Sequence, residues 1–158
     1  MGEIVVGVDG SESSHRALRW ALEEARLCRA VAVVVHAYEP VILHHPYVTA
    51  DPFVPLAAFS AATVQDQRLQ DEQDTRDRQR AEGVVQQALD DAGWRGRDPE
   101  VKRLIVTRNA AKTLVEMSDH AELLVVGSRG RGGFTGLLLG SVSLQCLHHA
   151  RCPVVIVR

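Results

Sequence analysis

Leu123-Leu124-Val125-Val126-Gly127-Ser128-Arg129-Gly130-Arg131-Gly132-Gly133-Phe134 is a short aliphatic run that breaks into glycine and arginine. Four apolar residues ended by glycine read as a strand buried on both faces. The segment continues to Gly140-Ser141-Val142-Ser143, where Leu144 and Leu147 open a helical spacing. Strand, glycine-rich loop and helix start follow one another here, as at the first half of a βα unit.

Four other short apolar runs stand out, most of them rich in Val and Ile and nearly continuous: Ile4-Val8, Val31-Val35, Val101-Val106 and Val154-Val157. Helical periodicity fills the gaps between them. Leu18, Ala21, Leu22 and Ala25 recur at i, i+3, i+4, i+7 behind candidate caps at Ser11 or Ser13. Ala81, Val84, Val85, Ala88 and Leu89 recur likewise and stop before Gly93, and Ala111, Leu114, Val115 and Ser118 follow a candidate cap at Asn109. Strands alternating with helices predict an α/β doubly wound parallel sheet with helices on both faces. With 158 residues and no internal repeat, a single domain over 1–158 is expected.

Two stretches interrupt the rhythm. Residues 39–59 hold four of the six prolines and read as a long loop, the kind that forms lids or contact surfaces. Residues 65–82 are dense in charge, with Glu72 and Arg76, and Asp74 and Arg78, spaced as i, i+4 pairs. Such pairs add about 0.2–0.5 kcal/mol each to a solvated helix. That stretch is read as a helix half in water, with a partner-binding stripe as the alternative.

The net charge is −2, and no basic face stands out, which argues against nucleic-acid binding. No apolar run reaches the roughly 20 residues of a membrane helix, and the N-terminus has no basic region ahead of an apolar one. The three cysteines, Cys28, Cys146 and Cys152, form no CxxC pair and suit a reducing compartment as small buried hydrophobes. A cytoplasmic location is expected. Of the histidines, His36 reads as a satisfied core residue. The pairs His44-His45 and His148-His149 lack partners at metal-ligand spacing. Trp20 and Trp94 read as packing residues.

The chemistry is expected in the glycine segment. Glycines let the backbone approach a ligand closely. A helix N-terminus presents unpaired N–H groups to an anion, and consecutive amides in a glycine turn form anion nests. Ser141 and Ser143 add hydroxyls, and Arg129 and Arg131 add positive charge. A phosphate cradle fits this pattern, and so does a plain surface turn. The segment is not a Walker A loop, which requires a lysine, and Gly7-Val8-Asp9-Gly10-Ser11 lacks the dinucleotide fingerprint. Asp9 reads equally as a turn residue, since Asp-Gly-Ser is turn chemistry.

The spacing is more informative. Gly127, two residues, Gly130, nine residues, then Gly140-Ser141 resembles the nucleotide-binding signature G-2x-G-9x-G-S/T of the universal stress protein family. Ile4 to Ser11 resembles that family's opening strand and turn, Val34-Val35-His36-Ala37 the end of its second strand, and Ala121 to Gly130 its fourth strand and loop. His149 to Val157 resembles the closing strand. At the turn after the third strand the family often has Gly-x-Pro, where this chain has Arg108-Asn109-Ala110.

The resemblance implies a five-stranded parallel sheet in the order 3-2-1-4-5 and an ATP site at the switch point between strands one and four. It implies that Asp9 accepts a hydrogen bond from the adenine amino group, that the backbone of Ala37 meets the adenine edge, and that Gly7 and Val8 pack near the base. Gly127, Ser128, Arg129, Gly130, Arg131 and Gly132 would approach ribose and phosphates. Gly140, Ser141, Val142 and Ser143 would cap the phosphates, with any Mg2+ held mainly by them. It also implies a homodimer paired through Val154-Val157. The functional expectation is an ATP-dependent switch or sensor in a stress response that acts on an unidentified protein partner. The alternatives are a slow ATPase, for which no general base is evident, and an interaction module with a vestigial site.

Overall fold

The computed structural model describes residues 2–39, 56–96, 98–130 and 138–158, with the side chains of 56–66 outside that description. Packing divides the chain into two units, Met1–Glu39 with Ala81–Arg158, and Pro40–Arg80.

The larger unit is built on a parallel sheet of five strands: β1 (Glu3–Gly7), β2 (Val31–Ala37), β3 (Val101–Val106), β4 (Leu123–Gly127) and β5 (Val154–Val157). Their order is β3-β2-β1-β4-β5, the order implied by the resemblance. The helices are α1 (Glu12–Cys28), α2 (Leu56–Asp91), α3 (Ala110–Met117) and α4 (Ser141–His149).

Strand alternation sends apolar side chains to both faces. On one face Val6, Val34 and Val125 pack with Leu18 and Leu22 of α1 and Val85 and Leu89 of α2. On the other, Val5, Val33, Val35 and Leu124 pack with Leu114 of α3 and Cys146 of α4. The inner strands are therefore apolar at nearly every position. The edges differ: β3 carries the exposed Lys102 and Arg103, whereas β5 is Val-Val-Ile-Val without a charge.

Both cap expectations find their place. The Ser11 hydroxyl accepts from the Ser14 N–H at 3.2 Å at the start of α1, and Asn109 Oδ1 accepts from the Lys112 N–H at 3.1 Å at the start of α3. Each cap satisfies one of the four unpaired donors of a helix start, a contribution of about 1 kcal/mol.

The long-loop reading needs correction at its end. Helix α2 begins at Leu56, so 56–59 are helical, while 40–55 lie outside the described residues. After Pro55 the chain runs Leu-Ala-Ala-Phe-Ser-Ala-Ala, rich in the strongest helix former, and nothing there breaks a helix. In the smaller unit, the expected Glu72–Arg76 pair forms at 3.5 Å.

The cysteines divide. Cys146 and Cys152 are in the core face beside α4, but Cys28 is exposed, at the last turn of α1. Its thiol donates to Glu24 at 3.3 Å. Burial, and then the neighbouring Cys152, push the Cys146 thiol up to about 11. Thiolate is the reactive form, so Cys146 is doubly protected at pH 8. A maleimide is expected to label Cys28 first in the native protein and Cys146 only after unfolding, read by peptide mass spectrometry. Equal labelling rates in the native state would contradict this packing.

Trp94 behaves as a packing residue, its indole N–H donating to the Pro99 carbonyl at 3.0 Å and its ring under Arg103. Trp20 instead lies at the surface. Among the described residues, no helix is long and apolar enough to cross a membrane.

Candidate functional site

In a doubly wound sheet, neighbouring strands whose connections leave in opposite directions open a crevice beyond their carboxyl ends. Strands β1 and β4 are that pair. Their register runs from Ile4↔Leu123 to Val6↔Val125, and the chains then part at Gly7 and Gly127. A cavity of about 510 Å³ opens there.

Eleven expected positions converge on its wall. From β1 and its turn come Gly7, Val8 and Asp9, and from β2 comes Ala37. The glycine loop adds Gly127, Arg129 and Gly130, and the start of α4 adds Gly140, Ser141, Val142 and Ser143. Ser128 is buried rather than in the wall. Its N–H donates to Val157 O and its carbonyl accepts from the Gly140 N–H, both at 2.7 Å. It therefore ties the loop to β5 and to α4. Arg131 and Gly132 lie outside the described residues, as do His44 and His45.

The loop is held from both sides by helix starts. The Ser13 hydroxyl of α1 donates to the Arg129 carbonyl, and the Ser143 hydroxyl of α4 donates to the Gly127 carbonyl at 2.7 Å. Gly127 touches α1 so closely that a Cβ there would lie 2.7 Å from the Ser13 carbonyl carbon. This contact requires glycine for close approach.

Helix α4 aims its N-terminus at the cavity. Its cap is Gly140, which has no side chain to bond the first amides. Those N–H groups have no partner within the helix, and the dipole adds about half a positive charge there. An anion is the natural occupant.

Asp9 is a turn residue and also lines the cavity. Its Oδ1 accepts from the Ser11 N–H at 2.9 Å, an Asx turn completed by Gly10 at φ 79°, and its carboxylate also stands in the cavity wall. Asp9 and Arg129 are the charged residues of the described wall, one of each sign.

Sequence reasoning missed Ser14, Val35, Ala110, Leu114, Val126 and Leu139, which also line the cavity. A signal was available for two of them. In a parallel sheet every strand-to-helix junction faces the same end, so the start of α3 belongs there with the start of α4. Ala110 lies in the Arg108-Asn109-Ala110 turn after β3, and Leu114 is one helical turn further on. His36 is buried and hydrogen-bonded, as expected. His148 and His149 are exposed at the end of α4, and no group of three metal-ligating side chains occurs among the described residues.

The profile of the universal stress protein family matches residues 1–158. Universal stress protein Rv2005c of Mycobacterium tuberculosis is 38% identical over 157 residues, 98% of this chain and 45% of its own length. Universal stress protein Rv2623 of the same organism is also 38% identical, over 98% of this chain and 46% of its own length. The chain thus spans about half the length of the curated relatives it matches. Among solved structures, a universal stress protein in complex with cAMP is 26% identical with a TM-score of 0.62, covering 99% of this chain and 96% of the other. UspA from Lactobacillus plantarum shares the fold with a TM-score of 0.70 at 19% identity, over 99% and 97% of the two chains.

Proposed function

This chain belongs to the universal stress protein family, and we propose that it is a regulatory protein binding an adenine nucleotide, ATP foremost, in the β1–β4 cavity. The observation that carries this is the α4 N-terminus, without a side-chain cap, in the wall of a cavity that Val35, Ala37, Ala110, Leu114 and Val126 also line. The similar protein solved with cAMP supports an adenine nucleotide as the class of ligand.

The base fits against Ala37, Ala110 and Leu114, with Gly7 and Val8 beneath it, and Asp9 takes the adenine amino group. Ribose and phosphates run along Gly127, Arg129 and Gly130, with Arg131 and Gly132 continuing that loop. The phosphates end on the amides of Ser141, Val142 and Ser143. Mg2+ rides mainly on the phosphates, because Asp9 is the only carboxylate of the described wall. A switch is the proposed role, with a slow ATPase as the alternative. Nucleotide then acts by favouring one conformation or assembly that a partner recognises.

The proposed assembly is a homodimer through β5. The β3 edge is blunted by Lys102, paired with Glu3 at 2.8 Å, and by Arg103, whereas β5 offers an uncharged edge. Such an edge is a template for pairing with another strand.

The test begins with protein purified without added nucleotide. It is denatured, any released nucleotide is identified by chromatography, and the stripped protein is titrated calorimetrically with ATP, ADP and cAMP. The expected result is released adenine nucleotide or micromolar binding, about −8 kcal/mol. No released nucleotide and no heat with any of the three would refute the proposal.

A further inference from the structure

The β1–β2 ladder runs in register from Glu3↔Val31 to Gly7↔Val35. One further rung follows, from the Val8 N–H to the Val35 carbonyl at 2.8 Å. Beyond it β1 turns away from the sheet into the cavity wall. The Val8 carbonyl then needs a donor, because Val8 is only 3% exposed and an unpaired buried acceptor is costly. The donor comes from a side chain: His36 Nδ1 lies 2.7 Å from that oxygen. A carbonyl only accepts, so Nδ1 carries the hydrogen. The imidazole is itself held, 8% exposed and stacked on Tyr38 with ring centres 6.2 Å apart.

The consequence lies at the other end of the same peptide group. The peptide group is rigid and planar, so fixing the Val8 carbonyl also fixes the Asp9 N–H, which points to the Ser14 hydroxyl at 3.4 Å. Asp9 and Ser14 both stand in the cavity wall, whereas His36 does not. Besides the strand it shares with the wall residues Val35 and Ala37, His36 reaches the cavity through the plane of the Val8–Asp9 peptide.

We propose that His36 is a positioning residue of the nucleotide site: its Nδ1–H holds the Val8 carbonyl, and so sets the direction in which the Asp9 carboxylate meets the nucleotide. The inference rests on the binding reading above. It assigns His36 a role that its burial alone would not, since any apolar side chain of similar size would fill the space.

Two substitutions separate the hydrogen bond from the volume. His36→Asn places an amide N–H where Nδ1 lies, and His36→Leu fills the space without a donor. ATP affinity is measured by calorimetry in the wild type, in both variants, and in each of them combined with Asp9→Asn. Asp9→Asn keeps an oxygen for the Ser11 N–H while removing the charge. His36→Leu is expected to weaken ATP binding about tenfold, and His36→Asn to stay within about threefold of wild type. In the Asp9→Asn background the His36→Leu effect should shrink to less than twofold, because its route to the ligand is gone. If His36→Leu does not fold, His36→Met takes its place, similar in volume and likewise without a donor. Unchanged affinity in the donor-less variant overturns the proposal. So does a tenfold loss that persists undiminished beside Asp9→Asn, since that marks a general structural effect. A wild type that binds no adenine nucleotide overturns the binding reading and this role together. A wild type that binds, with His36→Leu indifferent, overturns the His36 role alone.

Discussion

Gly127→Ala is expected to lower stability by about 1–3 kcal/mol and to abolish nucleotide binding. The new methyl would lie 2.6 Å from Ser13 Oγ, 2.7 Å from the Ser13 carbonyl carbon and 2.9 Å from its oxygen. Two of those atoms are backbone at the start of α1, held by the Ser11 cap and by the bond from Ser13 to Arg129. Neither side yields without moving a helix start or the loop. Elsewhere Gly→Ala stabilises by about 0.4–1 kcal/mol through the unfolded chain, and overpacking outweighs that here. For a chain of this size the loss amounts to roughly 3–10 °C in melting temperature.

Gly140→Ala is the matched control. A Cβ there has its nearest neighbour at 3.4 Å, an ordinary contact, and the backbone sits at φ −77°, where alanine is at ease. Thermal melts of the two variants should therefore separate, although both glycines belong to one spacing pattern. If Gly127→Ala melts with wild type and still binds ATP, the close approach of α1 to the loop is wrong.

The second large effect is at Ser141. Ser141→Glu is expected to reduce ATP affinity at least a hundredfold, about 2.7 kcal/mol, with no loss of stability. Ser141 is exposed at the first turn of α4, so a longer side chain meets no steric barrier. A carboxylate in that position satisfies the free amides and the helix dipole, adding about 0.3–1 kcal/mol to the fold. It also occupies the place proposed for the phosphates, and two like charges about 4 Å apart repel by roughly 4 kcal/mol at an effective dielectric of 20. Stability and affinity should thus move in opposite directions, which a misfolded variant cannot mimic. Ser141→Ala, which removes only a hydroxyl, should cost well under tenfold. Undiminished ATP binding by Ser141→Glu would place the phosphates elsewhere than α4.

Much of the frame is written in local pattern. Val101–Val106 and Val154–Val157 are strands at the very residues their apolar runs predicted, and the inner runs that open at Ile4, Val31 and Leu123 are nearly continuous because an inner strand is buried on both faces. Ser11 and Asn109 cap the helices that their chemistry announced. The order 3-2-1-4-5 came through likeness to a family, since five similar strands do not themselves reveal which lie side by side.

The wall of the cavity was legible where it follows one stretch of chain, as with Gly127, Gly130 and Gly140. It was hidden where it depends on distant stretches meeting. Ala110 and Leu114 enter it because α3 starts at the same end of the sheet as α4, a fact of strand register rather than of spacing. His36 carried the signal of an ordinary core residue, and only the termination of the β1–β2 ladder at Val8 gives its Nδ1 a task. Gly127 was legible as a position of the spacing pattern, but only Ser13, packed against it from over a hundred residues earlier, leaves it no room for a side chain. Sequence by itself determined the strands, the caps and the anion-favouring helix start, because those follow from period, side-chain chemistry and backbone dipoles within a few residues. Tertiary structure alone decided which helix starts share a cavity and which glycine has no room for a methyl, because those are distances between chain segments that only the folded sheet brings together.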